Sequence, residues 1–503
     1  MPYPFALPTT SHLTFQTHLT SLTHPSLPAT VTTARNSVRA ALKTHKRLLS
    51  ASQSANLPHI LTVLSEYTPY LLALDAGLSG KPVCGEDIDI TLLKEVEVEW
   101  RPSLLASPLP GRQAPRVKGK GLDYEIYNTL HTLSAVHALL ARSSLLRLYV
   151  PSSSPTNTAP TPDARTAAIQ NATKHLLTAH SIHTHLLHLT HTSADGPPSF
   201  PKEAVDIHFS TQSCLAELSL AEATLLFVLK DDAYPALLQQ SRDKNDREWM
   251  VKAPDIPRVR AHLFARLSLG AAEHAGRAAA AGQGGFAEGG GGGNRGLAKD
   301  LVGYCEDLKR VSRAKACRFL GVDAEASGKT GEGIAWLRAG MTELGMEIQK
   351  NGEEKMSLGK LKSSWVEKRA DRKMEKGKTA EWGADAGKTE EGRVLEWLER
   401  KWTKQNDTMN VQIVPDHAAL VASMMPSGRE AFGSNLSVWT PTLLGEDALA
   451  RIRAPVDIDQ GLREEQSSGD EVDSDAEEDR KARRAPAGIS LGMRGECEGD
   501  AYY

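Results

Sequence analysis

None of the five cysteines, Cys84, Cys214, Cys305, Cys317 and Cys497, belongs to a Cys-x-x-Cys pair, and their number is odd. That argues against a zinc knuckle and a disulfide framework and fits a reducing compartment. Aromatic residues are scarce at 5%, so leucine and alanine supply most of the 40% apolar content, a balance suited to helix-on-helix packing. With a net charge of −3 there is no whole-chain attraction to nucleic acid. No uninterrupted run of about 18 apolar residues occurs, which predicts no membrane span. Met1–Phe5 has no basic or apolar leader pattern, position two is not glycine, and Asp500–Tyr503 is not a prenylation box. The expectation is a soluble, cytoplasmic protein.

Catalytic signatures are equally sparse. There is no Gly-x-Ser-x-Gly elbow and no cysteine-nucleophile motif. Two stretches imitate a phosphate-binding loop. Ser327-Gly328-Lys329-Thr330 ends like one, but Asp323 stands where the first glycine is needed and would repel phosphate. Gly383-Ala384-Asp385-Ala386-Gly387-Lys388-Thr389 is one residue short, and neither stretch follows a hydrophobic strand. Both read as turns between helices. His175, His180, His183, His185, His188 and His191 crowd one segment, but leucines interleave them. An amphipathic helix with a histidine-rich exposed face accounts for them without a metal or a pH-sensing role. No cofactor is expected.

The most informative stretch is 95–140. Glu95-Val96-Glu97-Val98-Glu99-Trp100 alternates with period two, the mark of a strand with one buried face, and Arg101-Pro102 ends it. A proline-rich crossing with Pro108, Pro110 and Pro115 follows. Leu122, Tyr124, Glu125, Ile126, Leu130, Leu133, Val136 and Leu140 then fall at helical spacing. Upstream, Leu13-Thr14-Phe15 reads as a short strand that pairs with Val96–Val98, with helices over about 31–50 and 57–78. Downstream, helices are expected over 163–192, 203–231, from Pro257 to the alanines at 278–281, and over 297–319, 330–350, 353–380 and 389–405. Prolines at 151, 155, 160 and 162, and again at 197, 198 and 201, separate the earlier ones. Gly289–Gly293 centres a flexible insertion at about 284–296.

The segments Tyr70–Asp75, Glu97–Pro102 and Leu122–Glu125, in that order, resemble the Bro-type (Alix-like) domain family, and within it the fungal regulators of the response to ambient pH. The resemblance implies a mainly α, elongated, solenoid-like domain with a small N-terminal β-element over 1–440. Asn406-Asp407 through Val414-Pro415 would be its closing segment, and a disordered acidic tail would occupy 441–503. It implies no enzyme activity. It implies an adaptor that links a plasma-membrane pH-sensor complex to ESCRT-III and promotes proteolytic activation of a zinc-finger transcription factor. The partner would be the C-terminal helix of the ESCRT-III core subunit, lying in a groove on the 213–230 helix. Leu215, Leu218, Leu225 and Leu229 are the candidate groove residues, with Leu218 matching a family position approximately. Recruitment would be to plasma-membrane or endosomal sites, with Arg116, Lys118 and Lys120 available for peripheral contact with anionic lipid. In the tail, Ser468 and Ser474 have Glu471 and Glu477 at plus three, an acidophilic phosphorylation context, and Arg480–Arg484 is a short basic cluster. Other readings are a general ESCRT adaptor in endosomal sorting, a plain helical-repeat scaffold, and a helical enzyme using nucleotide or metal at the near-miss motifs.

Overall fold

The computed structural model describes residues 2–105, 114–149, 161–192, 198–235, 260–284, 297–347, 383–433, 436 and 438–454. Several expectations lie outside them: Pro108 and Pro110, the loop at 151–160, the glycine run, the 353–380 helix, Ser468 and Ser474, and the acidic and basic tail segments.

Eleven α-helices and five short strands form the described residues. The first unit joins α1 (Leu27–Arg47), α2 (Ser50–Leu78), β1 (Thr9–Thr10), β4 (Glu97–Arg101), β5 (Val117–Lys120) and the start of α3 (Leu122–Tyr149) around one core. β4 is the middle strand, antiparallel to both neighbours, with Thr10 opposite Trp100 and Val98 opposite Gly119. A smaller pair joins β2 (Leu19–Thr20) to β3 (Thr91–Leu92).

The strand expected at Leu13–Phe15 is not formed. β1 lies nearer the N-terminus and pairs with Trp100 and Arg101, while Phe15 opens a 3-10 turn. The reason is local: the Phe15 N–H donates to Thr32 Oγ1 at 2.9 Å, so the donor goes to α1 rather than to a sheet. β5 completes the sheet by charge as much as by backbone. Lys118 meets Glu97 at 2.6 Å, Lys120 meets Glu95 at 2.8 Å and Arg116 approaches Glu99 at 3.9 Å. Opposite charges across a strand pair add modestly to its register, so these three bases have a structural use. Gly119 is required here because a Cβ would stand 2.3 Å from the Tyr124 ring.

From α3 onward the helices pack each on the next: α4 (Pro162–Thr192), α5 (Phe209–Asp231), α6 (Ala261–Gly284), α7 (Lys299–Ala326), α8 (Thr330–Glu343) and α9 (Lys388–Gln405). Alanine and glycine on facing surfaces allow this. Ala271, Ala275, Ala278 and Ala279 of α6 are buried among Leu215, Leu218, Leu301 and Leu308. α5 is the one described helix long and apolar enough to cross a membrane, and most of it is buried between α4 and α6. Its apolarity is that of a central core helix.

After α10 (His417–Met424) the chain runs back along the molecule without regular structure. Gly428 and Arg429 lie on α6, where a Cβ at Gly270 would stand 2.3 Å from the Arg429 carbonyl oxygen. Trp439 then stacks edge-on against His185 of α4 at 5.2 Å. α11 (Glu446–Ile452) buries Leu449 and Ile452, with Leu444 before it, in the first core. The compact unit therefore extends from Met1 to Ala454, past the position near 440 where the sequence pattern fades. The return is pinned by Arg453 on Glu86 at 2.7 and 2.5 Å and by the Ala454 N–H on the Thr23 carbonyl.

Candidate functional site

Three of the four candidate groove leucines face inward. Leu215 and Leu218 are 1% exposed and Leu225 is 8% exposed, all in the core shared by α5, α6 and α7 and capped by Tyr3 and Phe5. Leu229 is half-buried on a different cluster, beside Leu177 and Phe432. Phe209 in the first turn of α5 reaches the surface at 51% exposure, and further along the helix so does Phe227, at 43%. Two positions along a helix from Leu225, it points about 200° away. A large ring on the face opposite the leucine row was the sequence signal that marks it.

Phe227 belongs to an open groove of about 510 Å³ between α4 and α5. Ile169 and Leu177 of α4 and Leu436 of the returning segment complete its apolar lining, and Lys174 and Lys230 stand on its rim. Phe432 packs edge-on against Phe227 at 6.1 Å, so the returning segment forms one wall. A second groove of about 500 Å³ lies on α6 and α7, with Leu269, Ala272, Arg277, Lys309, Arg313 and Met425 among its lining. The first groove offers apolar area beside two lysines, whereas the second also carries Glu273 and its Arg277 and Arg313 are paired with Glu217 and Glu343.

Beneath these surfaces α5 is held by polar groups that hydropathy does not reveal. The Glu222 carboxylate is buried and accepts from the Tyr304 hydroxyl at 2.7 Å and the Tyr3 N–H at 2.9 Å. Burial pushes its pKa from 4.5 up to about 7, against the pull of these donors and of Arg142. A carboxyl raised in the folded state stabilises fully below its unfolded pKa and loses that share as pH rises through the folded value. At about 1.4 kcal/mol per pH unit, the difference amounts to about 3 kcal/mol. Glu222→Gln is therefore expected to lose less stability than the parent between pH 5 and pH 8, as read by urea midpoints at both. Asp75, pushed by burial up to about 6, acts in the same direction in both proteins. The buried histidines 131, 137 and 183, lowered by burial to about 4, 4 and 3, act oppositely, losing stability as pH falls below 6.5. The difference between variant and parent isolates Glu222.

The histidine-rich helix is α4, and its histidines are less exposed than its amphipathic pattern suggests. His183 is buried and donates from Nδ1 to Gln212 Oε1 at 2.6 Å, and His180 Nδ1 meets the Ala216 carbonyl at 2.9 Å. His175 meets His137 of α3, Nδ1 to Nδ1, at 3.0 Å. These rings clamp α4 onto its neighbours: His175 meets α3, while His180 and His183, three residues apart, meet α5. Among the described residues no group of three His, Cys, Asp or Glu is placed to hold a metal.

The two near-miss loops are turns. Ser327 and Gly328 end α7, Gly328 with φ +79°, and Lys329 begins α8. In the second, Asp385 itself accepts from the Gly387 and Thr389 N–H groups at 3.0 Å, which fills an amide nest that a phosphate would need.

No protein-family model matches the chain. Over 486 residues it is 43% identical to the pH-response regulator protein palC of Emericella nidulans, covering 90% of this chain and 92% of that protein. The chain belongs to the palC family. Its fold is the Bro-type fold: a crystal structure of ALIX in complex with the SIVmac239 PYKEVTEDL late domain matches with TM-score 0.51 at 16% identity, over 92% of this chain and 52% of ALIX. The ALIX Bro1–CHMP4C complex aligns with TM-score 0.49 at 16% identity, over 88% of this chain and 98% of that one. In this palC-family chain the Tyr124-Glu125 pair that opens α3 is structural. Glu125 is buried and bonded to Arg35, Tyr67 and Trp100.

Proposed function

We propose that this palC-family chain is a non-enzymatic adaptor in the fungal response to alkaline ambient pH. It connects a plasma-membrane pH-sensor complex to ESCRT-III and so promotes proteolytic activation of a zinc-finger transcription factor. Family membership supports the pathway, since the relative from Emericella nidulans is a pH-response regulator. The observation that carries the adaptor reading is the open α4–α5 groove, where Phe227 stands exposed on an otherwise largely buried helix. A partly exposed hydrophobic ring in an open apolar groove suits a helix-binding site. The guest is the C-terminal helix of the ESCRT-III core subunit, its apolar anchors on Leu177 and Phe227 and its acidic flanks near Lys174 and Lys230. Leu229 borders the site, and Leu215, Leu218 and Leu225 support α5 from beneath.

The test is fluorescence anisotropy of a labelled C-terminal helix peptide with the full chain and with Phe227→Asp. Wild type is expected to bind in the micromolar range. The variant should bind at least about tenfold more weakly, in keeping with a central aromatic anchor worth about 2 kcal/mol. Because Phe227 is exposed, the variant's thermal midpoint should stay within a few degrees of wild type. Absence of binding to folded wild type, or equal binding by the variant, would remove this groove from the proposal.

A further inference from the structure

The returning segment crosses three helices in turn. Gly428 and Arg429 lie on α6, where the Arg429 N–H donates to the Arg266 carbonyl at 2.9 Å and the Ser427 carbonyl accepts from Arg266 Nε at 3.2 Å. Phe432 then stands on Phe227 of α5 and packs on the cluster that Leu177 and Leu229 border, and Leu436 lines the α4–α5 groove. Trp439 reaches His185 of α4. Of the described residues from Glu430 to Leu443 none is buried, and none makes a hydrogen bond to the helices. The chain is fixed on either side of them, by Arg429 on α6 and by Leu444 in the first core. Between those points only apolar side-chain contacts tie the described residues to the helices beneath.

We propose that this segment is an intramolecular strap over the guest-helix site: Phe432 and Leu436 occupy in cis the apolar positions that the guest's anchors take, and yield them when the guest binds. The inference rests on the helix-binding reading of the α4–α5 groove. Phe227 is the ring offered to the guest, and Phe432 already packs edge-on against it. A helix laid on Phe227 and Leu177 contends with Phe432 for both, because Phe432 packs on the cluster that Leu177 borders. Lifting the strap breaks no hydrogen bond of the described residues after Arg429, and the apolar contacts it loses are of the kind the guest supplies. A segment with few buried contacts lies at the low end of local stability. While closed, the strap lowers the apparent affinity by the fraction of molecules in which it is open. A guest must therefore bring at least the apolar surface that Phe432 and Leu436 provide, and a weakly apolar helix is refused.

The experiment measures anisotropy of the labelled C-terminal helix peptide with the full chain, with Phe432→Ala and with Trp439→Ala. Removing the competitor should tighten binding at least about fivefold in Phe432→Ala, as expected where the open state is a minor fraction in wild type. Trp439 lies outside the groove lining, and its loss frees the strap at α4, so Trp439→Ala should tighten binding in the same direction. Both side chains are only half-buried, and circular dichroism should be unchanged in either variant. A second readout follows the strap itself. Alkylation of Leu436→Cys by N-ethylmaleimide, resolved at that site by mass spectrometry, should speed up when the peptide is bound. Weaker or unchanged binding by Phe432→Ala, or slower alkylation in the presence of peptide, makes the segment a fixed wall and overturns the proposal. The helix-binding reading then still stands on wild-type binding. Absence of binding by wild type and both variants overturns that reading and the strap with it.

Discussion

Glu125→Ala is expected to destabilise the protein by about 3–5 kcal/mol, the range for breaking a buried ion pair from one side. Glu125 is fully buried and is the point at which four elements meet. Its Oε1 accepts from Arg35 Nε of α1 at 2.8 Å and from the Tyr67 hydroxyl of α2 at 2.9 Å, and its Oε2 accepts from Trp100 Nε1 of β4 at 2.7 Å. Alanine removes the acceptor and leaves an arginine, an indole N–H and a phenol buried, with the arginine still on Thr10 Oγ1 and the Ser11 carbonyl. Glu125→Gln keeps the shape but turns an amide N–H₂ toward one set of donors, and should lose less than alanine yet well over 1 kcal/mol. Urea unfolding followed by circular dichroism measures both. A loss below about 1 kcal/mol for alanine would mean that water replaces the carboxylate and that the site is not closed.

Arg318→Met should be comparably severe, about 3–5 kcal/mol, because it strands two buried carboxylates at once. Arg318 Nη2 donates to Asp232 Oδ2 and Nε donates to Glu391 Oε1, each at 2.6 Å, joining the end of α5 to α7 and α9. Its guanidinium also lies 4.4 Å from the centre of the Phe319 ring. Burial raises the pKa of both acids, and Arg318 overrides it and holds them below their usual range. Without the guanidinium, Glu391 keeps Lys315 at 2.6 Å and Asp232 keeps the Tyr234 N–H at 3.2 Å. The released carboxyls then have raised pKa values, which reverses the sign of their linkage. The variant's deficit should shrink as pH is lowered from 7 toward 5, whereas a cavity alone would give a deficit independent of pH. Arg318→Lys keeps charge but not the fork, and should fall between the two.

These two networks mark where sequence reasoning stops. Helical segments were legible because their periodicity is local. The segments expected at 163–192 and 389–405 differ from α4 and α9 by one residue at each end or less. The β4 strand was legible from its period-two alternation, and the Tyr-Glu pair on α3 was legible as a recurring sign. What Glu125 does was not, because its partners lie 25, 58 and 90 residues away and no spacing rule links them. β5 was missed because Val117-Lys118-Gly119-Lys120 is short and charged, although its bases complement Glu95, Glu97 and Glu99 across the strand pair.

The candidate site shows the same division more sharply. Leu215, Leu218, Leu225 and Leu229 share one face of a helix in any projection, and a hydrophobic face is needed equally for a core and for a groove. Which of the two it serves depends on what is packed there. α6, α7 and the N-terminal Tyr3 and Phe5 cover Leu215, Leu218 and Leu225, Leu229 is half-buried on another cluster, and among the described residues the opposite face leaves Phe227 43% exposed. The sequence by itself determined the helical class, the family resemblance and the identity of the central helix, because these rest on patterns along the chain. Only the tertiary structure decided which side of α5 is packed against α6 and α7, that residues 444–452 return to the first core, and how the buried charges are paired. Each of those is set by contacts between residues distant in sequence, and burial converts such contacts into energy only once the chain is folded.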